Sequence, residues 1–174
     1  MSLLLISAIL LGVIFFLLII LSWVWPPDSP WAPWWRTTDE KIRSALKLAK
    51  VTKNDTVYDL GSGDGRVLII AAKEFGARGV GIEIDPLRSI LSSLMIRIIR
   101  LNKRVVIKRK NFFDEDLSKA TVIFVYLVPK ALNRLLPKFK RELKKGTRIV
   151  SYRYEVSLPL KKYNKEHNLR LYII

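Results

Sequence analysis

The sequence contains no cysteine and a single histidine, and it has about half as many acidic as basic residues. Without cysteine there can be no disulfide framework and no thiolate metal site. A single histidine, His167, excludes a histidine-rich metal cluster, so we predict that no metal is bound. The 31 lysines and arginines outnumber the 15 acidic residues and leave a formal net charge of +16. This charge favours anionic surroundings such as a membrane surface with acidic lipids, nucleic acid or an acidic protein.

Charge is also missing from the first 27 residues, and residues 3–25 are almost wholly leucine, isoleucine, valine and phenylalanine. At 1.5 Å per residue this segment would form a helix of roughly 35 Å, which is enough to cross a bilayer with some tilt. A cleaved signal peptide would begin with basic residues and end in small ones, and neither feature is present. We therefore predict a transmembrane anchor over 1–25. Because all the basic residues follow it, the positive-inside rule predicts a single-pass membrane protein whose main domain lies on the cytoplasmic face.

Residues 26–36 are rich in tryptophan and proline, and all five tryptophans of the protein lie in this segment or just before it. Tryptophan suits the headgroup layer of a membrane, because its ring is largely apolar and its N–H finds a polar partner. We interpret 26–36 as an interfacial collar. The alternative is that Trp34 and Trp35 shape a substrate entrance. The remaining residues, 37–174, are enough for one domain.

The most informative stretch of the chain reads Asp-Leu-Gly-Ser-Gly-Asp-Gly-Arg over 59–66. It lies between a predicted strand over 56–60 and a predicted helix over 66–75, and the next apolar segment ends at Glu83. Glycines at alternate positions let the backbone pass close to a ligand. In open α/β sheets ligands bind at the carboxyl ends of the strands, where an acid such as Glu83 can accept hydrogen bonds from ribose hydroxyls. A dinucleotide-binding turn would read Gly-x-Gly-x-x-Gly, but the last of these positions is Arg66.

The spacing Asp-x-Gly-x-Gly-x-Gly resembles the first motif of the class I S-adenosylmethionine-dependent methyltransferases. The resemblance implies S-adenosylmethionine as the cofactor and a Rossmann-like, doubly wound α/β fold with a mostly parallel sheet. It also implies that the glycines pack against the methionine part of the cofactor, that Asp59 holds its amino end and that Glu83 takes the ribose. Asn111 stands where these enzymes commonly have an aspartate that meets the adenine amino group, while Phe112 either packs on the adenine ring or belongs to the core. The residues predicted to bind the cofactor are Asp59, Gly61, Ser62, Gly63, Asp64, Gly65, Glu83, Asn111 and Phe112.

A continuous apolar segment over 120–127 predicts a strand that is buried on both faces. It ends in Tyr-Leu-Val-Pro over 126–129. The resemblance places the residues that meet the methyl acceptor at this end of the fourth strand, so the substrate-side candidates are Tyr126, Pro129, Trp34 and Trp35. No general base is apparent, and we assign no catalytic residue. About six strands can be counted, one fewer than in a full class I methyltransferase sheet.

A further helix is predicted to start at Pro86, with Asp85 as its cap, and to run to about residue 101. Five of its apolar residues share one side, namely Ile90, Leu91, Leu94, Met95 and Ile98. Packing of that side on the sheet is the favoured interpretation. Partial contact with lipid is the alternative.

From residue 37 to 152 the order of features resembles one group within the class. This group is the small protein-lysine methyltransferases that, in mitochondria, modify the adenine nucleotide translocase or the c subunit of the ATP synthase, together with their prokaryotic relatives. The shared features are the hydrophobic N-terminal segment, the collar, the glycine motif, Gly-Ile-Glu-Ile-Asp over 81–85, Tyr-Leu-x-Pro over 126–129 and Lys-Gly-Thr-Arg-Ile-Val-Ser over 145–151. Trp34, Trp35 and Arg36 depart from the simpler collar of that group.

The resemblance implies a membrane-anchored protein-lysine N-methyltransferase that acts on a membrane or membrane-proximal protein. The expected partners are an anionic membrane surface and a protein or lipid amine. One alternative is methylation of a phospholipid headgroup amine, and another is a basic membrane tether without catalytic activity. Nucleic acid is not the expected partner, although the basic charge would allow it.

Overall fold

The structure is a computed structural model that describes residues 3–24 and 35–174. In these residues it contains five helices and seven strands. In chain order they are α1 (Leu3–Val24), α2 (Asp39–Leu48), β1 (Thr56–Leu60), α3 (Arg66–Phe75), β2 (Arg78–Glu83), α4 (Pro86–Ile98), β3 (Val105–Arg109), β4 (Val122–Val125), α5 (Pro129–Glu142), β5 (Arg148–Tyr152), β6 (Leu160–Asn164) and β7 (Leu169–Ile173).

The seven strands form one sheet in the order β3-β2-β1-β4-β5-β7-β6. The first five are parallel, whereas β7 pairs antiparallel with β5 and β6 pairs antiparallel with β7. The predicted α/β fold with a mostly parallel sheet is therefore confirmed. The count of about six strands was wrong, because β6 was missed: its side chains are almost all exposed, so it lacks the apolar pattern by which a strand is recognised.

Helices cover both faces of the sheet and divide its apolar residues into two layers. Alternate residues of a strand point to opposite faces, so Val57 of β1 packs with α2 and α3, while Tyr58 packs with α5. The five α3 side chains that point inward are Val67, Leu68, Ile70, Ala71 and Ala72. These two layers hold β1 at the centre of the molecule, with its carboxyl end beside those of β2 and β4.

Helix α4 is oriented the opposite way from the favoured prediction. The five apolar residues expected to pack on the sheet, Ile90, Leu91, Leu94, Met95 and Ile98, are all exposed. The inward side is formed instead by Arg88, Ser89, Ser92 and Ile96. Small serines fit here because α4 packs close to the glycine turn: a Cβ on Gly65 would lie 3.5 Å from the Cβ of Ser92. The Ser92 hydroxyl donates a hydrogen bond to the Arg88 carbonyl oxygen at 2.7 Å, so its burial leaves no unpaired polar group.

Helix α1 is 22 residues long and carries no acidic residue in its first turn and no basic residue in its last. Its described side chains run from Leu5 to Ile20, and all of them are exposed. Across residues 3–24 and 35–174, no helix is assigned as long and apolar enough to cross a membrane. The transmembrane anchor predicted over 1–25 is therefore not confirmed. Most of the collar predicted over 26–36, including Trp34, lies outside the described residues, and the boundary at residue 37 stays a prediction.

Candidate active site

The glycine turn after β1 has the backbone that its sequence predicts. Gly61, Gly63 and Gly65 have φ angles of 87°, 52° and 74°, which lie in the left-handed region that residues with a Cβ rarely adopt. The backbone N–H groups of Gly61 and Ser62 both donate to the Ile82 carbonyl oxygen, at 2.9 and 3.0 Å. These bonds fold the turn over the carboxyl end of β2. The backbone of the turn therefore lines the space above the strand ends.

Gly81 in β2 makes this close approach possible. A Cβ at this position would lie 2.6 Å from both the Ser62 hydroxyl oxygen and the Cδ1 of Ile107. Such distances are far below van der Waals contact, so any larger residue would force the side chains of Ser62 and Ile107 to move. In the sequence analysis Gly81 appeared only as part of the motif over 81–85. The packing explains why glycine is needed at this position.

Two buried acids lie at the carboxyl ends of the neighbouring strands β1 and β2, namely Asp59, the last residue but one of β1, and Glu83, the last residue of β2. Glu83 is fixed by its own backbone surroundings, because its carboxylate accepts hydrogen bonds from the N–H groups of Gly63 at 2.7 Å and Asp85 at 2.9 Å. Burial raises the pKa of Glu83, while these two bonds and the nearby Arg88 guanidinium act in the opposite direction. A carboxylate has four lone-pair positions, so two bonds from the backbone leave acceptor capacity for a ligand.

Asp59 is buried more deeply than Glu83, and fewer interactions offset the effect of burial on its pKa. Burial raises its pKa well above the ordinary value, and the negative charges of Glu83 and Asp64 raise it further. In the described part of the chain no hydrogen bond offsets this effect. A buried acid with this environment would be stabilised by a cationic ligand, because an opposite charge favours its ionised form. The amino group of S-adenosylmethionine is such a cation, so the residues present fit the cofactor implied by the glycine motif.

One cavity brings most of the predicted site residues together. It is lined by Asp59, Gly61, Ser62, Gly63, Asp64, Glu83 and Phe112, which were predicted on the cofactor side, and by Tyr126 and Trp35, which were predicted on the substrate side. Sequence reasoning missed several other residues of the lining, including Arg36, Thr37, Ile84, Arg88, Phe124 and Leu127. The binding roles of the residues predicted from the sequence stay predictions. Their arrangement around one cavity agrees with the division into a cofactor side and an acceptor side.

Three predicted residues do not line this cavity. Gly65 lies under the turn against α4. The Asn111 side-chain oxygen accepts a hydrogen bond from the Phe113 N–H at 3.1 Å, which forms a local turn. Pro129 is the exposed first residue of α5. The predicted contacts of Asn111 with adenine and of Pro129 with an acceptor therefore stay predictions. Phe112, next to Asn111, is the residue of this loop that lines the cavity.

Salt bridges join the mouth of the cavity to the segment before α2. The Arg36 Nε lies 3.2 Å from an Asp64 carboxylate oxygen, and an Arg66 guanidinium nitrogen lies 2.8 Å from the Asp39 carboxylate. These pairs are largely exposed, so each adds little to stability. Their effect is positional, since they hold residues 36–39 over the glycine turn. Spacing alone could not have predicted these pairs, because the partners are 27 and 28 residues apart.

Three tyrosines gather at the carboxyl ends of β4 and β5. The ring centroid of Tyr126 lies 4.5 Å from that of Tyr152 and 6.4 Å from that of Tyr154. The Lys41 ammonium donates a hydrogen bond to the Tyr152 hydroxyl at 2.9 Å. Sequence reasoning identified Tyr126 alone. The other two were open to the same argument, because β5 is parallel to β4 and its carboxyl end lies at the same edge.

The seven-stranded sheet, the left-handed glycine turn and the two acids above it define a class I S-adenosylmethionine-dependent methyltransferase. A solved structure supports this class: the RNA methyltransferase from Salinibacter ruber, in complex with S-adenosyl-L-homocysteine, has a TM-score of 0.77 and 34% sequence identity. That comparison covers 80% of this chain and 94% of the other. Residues 59–159 match the model of the ANTKMT methyltransferase domain. The chain belongs to this family.

Two curated relatives show how far the similarity extends. A protein-lysine N-methyltransferase from Saccharolobus islandicus is 37% identical over 156 residues, which cover 85% of this chain and 95% of the relative. An adenine nucleotide translocase lysine N-methyltransferase from Mus musculus is 31% identical over 123 residues, which cover 70% of this chain and 53% of that protein. The chain thus spans nearly all of the first relative and about half the length of the second.

Proposed function

We propose that this methyltransferase transfers the methyl group to a lysine side chain of a protein. The observation that carries the proposal is the 37% identity to the Saccharolobus islandicus protein-lysine N-methyltransferase over 95% of that relative's length. The aromatic lining on the acceptor side supports it, because Tyr126 and Trp35 offer ring faces against which a lysine side chain can pack. A basic membrane tether without catalytic activity is set aside, since the chain belongs to a family of enzymes.

The reaction asks the protein mainly for positioning. When bound, S-adenosylmethionine supplies an electrophilic methyl group, and attack by a neutral amine in line with the breaking bond is the chief requirement. In this arrangement Glu83 would accept hydrogen bonds from the ribose hydroxyls and Asp59 would hold the amino end of the cofactor. The acceptor lysine must lose its proton before attack, and desolvation at the cavity mouth lowers its pKa. We assign no general base.

We also propose that α1 attaches the enzyme to a membrane, with the methyltransferase domain on the cytoplasmic face. The proposal is supported by the uncharged sequence of α1, by its exposed described side chains, and by the position of all lysines and arginines after it. Flotation of the full-length chain with vesicles, without detergent, tests it. A chain that stays at the bottom of the gradient would contradict it.

RNA is a second candidate acceptor. It is favoured by the similarity to a solved structure described as an RNA methyltransferase and by the net charge of +16. A third candidate, the amine of a phospholipid headgroup, requires the membrane attachment proposed for α1.

One experiment separates the three acceptors. Membranes that contain the full-length protein are incubated with S-adenosylmethionine labelled in its methyl group, with Glu83→Ala as the inactive control. Protein, lipid and RNA are then separated. We expect label in a protein band, stable to acid hydrolysis as methylated lysine and absent with Glu83→Ala. Label found only in the lipid or the RNA fraction would replace the lysine proposal by the corresponding alternative.

A further inference from the structure

The outward face of α4 is the largest apolar feature of the methyltransferase domain that the site does not use. Six of its side chains, at 44–66% exposure, form this face: Leu87, Ile90, Leu91, Leu94, Met95 and Ile98. They follow one another at intervals of three or one, so they form a single stripe along the helix. We refer to this stripe as the α4 apolar face. Surface helices usually turn such a stripe toward the core, so its outward position requires a partner.

The orientation of α4 is fixed by its inner side. Ser89 and Ser92 are buried, and Ser92 lies against the glycine turn, where a Cβ on Gly65 would be in van der Waals contact with the Ser92 Cβ at 3.5 Å. Rotating the helix to bury Ile90 or Leu94 would bring a larger side chain against this turn. Because the turn lines the candidate cofactor site, burying the α4 apolar face in the domain would require the inner side of α4 to repack against that site. In residues 35–174 it stays uncovered.

The charge around the α4 apolar face identifies the kind of partner. No acidic residue occurs between Asp85 and Asp114. The same stretch contains eight basic residues, of which Arg88 is buried on the inner side of α4 and Lys108 and Arg109 belong to β3: Arg88, Arg97, Arg100, Lys103, Arg104, Lys108, Arg109 and Lys110. Arg97, Arg100 and Lys103 are exposed at the carboxyl end of the helix. An apolar stripe edged by cations is the pattern of a helix that lies in the interface of an anionic membrane. A second copy of this chain would bring the same positive charge and be repelled.

We propose that the α4 apolar face inserts into the boundary between headgroups and acyl chains of a membrane that contains anionic lipids. Arg97, Arg100 and Lys103 then lie at the level of the lipid phosphates. This contact is a second one, separate from α1, and it rests on the proposed membrane location but not on the identity of the acceptor.

Membrane contact at α4 has a consequence for the acceptor. Leu91 and Met95 border a cavity that also reaches Gly63 and Asp64 of the glycine turn. The lipid-facing surface therefore adjoins the cofactor site. With α4 in the interface, the site lies at the bilayer surface, where it meets acceptors that emerge from the membrane.

The absence of cysteine allows a direct test in the full-length chain, because a single introduced cysteine can be labelled alone. Leu94→Cys places a nitrobenzoxadiazole label on the α4 apolar face. Leu160→Cys is the matched control, since Leu160 has the same exposure, 53% against 52%, and lies in β6 at the other edge of the sheet. Each labelled chain is added to vesicles of phosphatidylcholine and phosphatidylglycerol, with and without brominated acyl chains. We expect a blue shift and quenching by bromine for the Leu94 label and neither for the Leu160 label.

Charge is tested in the same labelled chain. Replacing Arg97 and Arg100 by glutamine leaves the apolar stripe intact, so weaker quenching on the anionic vesicles is expected for this variant. For the labelled Leu94→Cys chain with both arginines intact, vesicles of phosphatidylcholine alone are expected to quench less than vesicles that also contain phosphatidylglycerol.

Flotation of the same samples separates failure of this inference from failure of membrane attachment. A chain that floats while its Leu94 label stays in water leaves attachment by α1 intact and overturns the α4 contact. A chain that does not float overturns both proposals. Equal quenching of the two labels, or a blue shift of the Leu94 label that needs no lipid and grows with protein concentration, would also overturn the α4 contact. The last result would assign the face to a second copy of the chain.

Discussion

Two acids at the opposite ends of β1 are both nearly inaccessible to solvent, but Asp59 lies deeper and the two environments are opposite. Asp55, just before the strand, is 7% exposed and accepts hydrogen bonds from the Thr52 N–H and the Thr121 hydroxyl, and it pairs with Arg148. Asp59, inside the strand, is 4% exposed and faces two other acids. Although burial raises the pKa of Asp55, its hydrogen bonds and the Arg148 charge lower it overall, whereas the pKa of Asp59 is raised well above its usual value.

The two ends of β1 differ in what their acids do: Asp55 contributes to stability, and Asp59 is a candidate for ligand binding. At the amino end of β1 the fold supplies every partner that a buried carboxylate needs, so the acid joins β1 to β4 and β5. At the carboxyl end Asp59 has no such partners among the described residues, and a cationic ligand bound there would offset the cost of its burial. The difference in environment therefore favours the carboxyl end of β1 as the cofactor side, independently of the glycines. It also predicts opposite changes in the free energy of unfolding when the two acids are replaced.

The largest effect is expected at Glu83, which shares the carboxyl end with Asp59. Glu83→Ala removes the partner of the Gly63 N–H and, if the predicted role of Glu83 is right, the acceptors for the ribose hydroxyls. Hydrogen bonds to a charged group contribute about 1.5–3 kcal/mol each, so affinity for S-adenosylhomocysteine should fall by roughly 100-fold or more. Titration calorimetry measures this loss, and Glu83→Gln, which keeps the size and one acceptor, should give an intermediate value. Unchanged affinity in a folded Glu83→Ala variant would contradict the assignment of this end to the cofactor.

At the amino end, Asp55→Ala should affect stability and leave cofactor affinity unchanged. The substitution leaves Arg148, which is largely buried, without its carboxylate, and the free energy of unfolding should fall by about 3 kcal/mol. Because the folded pKa of Asp55 is lowered, its contribution is present above the unfolded value near 4 and is lost as pH falls through the folded value. Urea denaturation at neutral pH and near pH 3 tests both points. Asp55→Asn, which keeps the shape of the side chain, should lower the free energy of unfolding less than Asp55→Ala does.

Asp59→Asn should have the opposite effect on stability. The folded pKa of Asp59 is raised, so its ionised form destabilises the cofactor-free protein above that pKa, and this effect is absent below about pH 4. The variant should therefore be more stable than the unsubstituted protein at neutral pH, by about 1 kcal/mol or roughly 3 °C in Tm. The gain should shrink as pH approaches 4, and cofactor affinity should fall. A decrease in Tm at neutral pH would show that Asp59 has a stabilising partner after all.

The smallest effect is expected on the acceptor side. Tyr152→Phe keeps the ring against Tyr126 and removes the hydroxyl that accepts from Lys41. A partly exposed hydrogen bond contributes about 1 kcal/mol or less, so kcat/KM for a lysine-containing acceptor should fall by about two- to fivefold while cofactor affinity stays constant. Tyr163→Phe, in β6 and away from the cavity, is the control and should change neither value. A loss of cofactor affinity in Tyr152→Phe would extend the cofactor side beyond β1 and β2.

The parts of the fold that sequence reasoning placed correctly are those with local signals. The predicted bounds of β1 and α3 match the structure, because the strand is apolar and the glycines at 65 and 76 limit the helix at both ends. The grouping of Asp59, Gly63 and Glu83 at one sheet edge followed from parallel strands meeting there. These signals lie within a few residues of the features that they predict.

The errors arose where a distant residue decides the outcome. The apolar stripe of α4 favoured the core, but the inner side of the helix packs instead through Ser92 and Ile96 near Gly65, more than 20 residues earlier. The strand β6 was missed because it has one partner, β7, and exposed side chains. Tyr152 and Tyr154 gained their place beside Tyr126 only through the pairing of β4 with β5.

The two outer strands of the sheet also bear on how the protein behaves when many copies share a small area. β3 and β6 form the edges, and each carries adjacent exposed cations, Lys108 and Arg109 in one and Lys161 and Lys162 in the other. The pairing of β6 with β7 is also irregular, with a register shift between Leu160 and Lys162. Unpaired strand edges invite another strand to add to them, and charges and irregularities of this kind oppose that addition. Crowded copies of this protein are thus protected against edge-to-edge aggregation at both sides of the sheet.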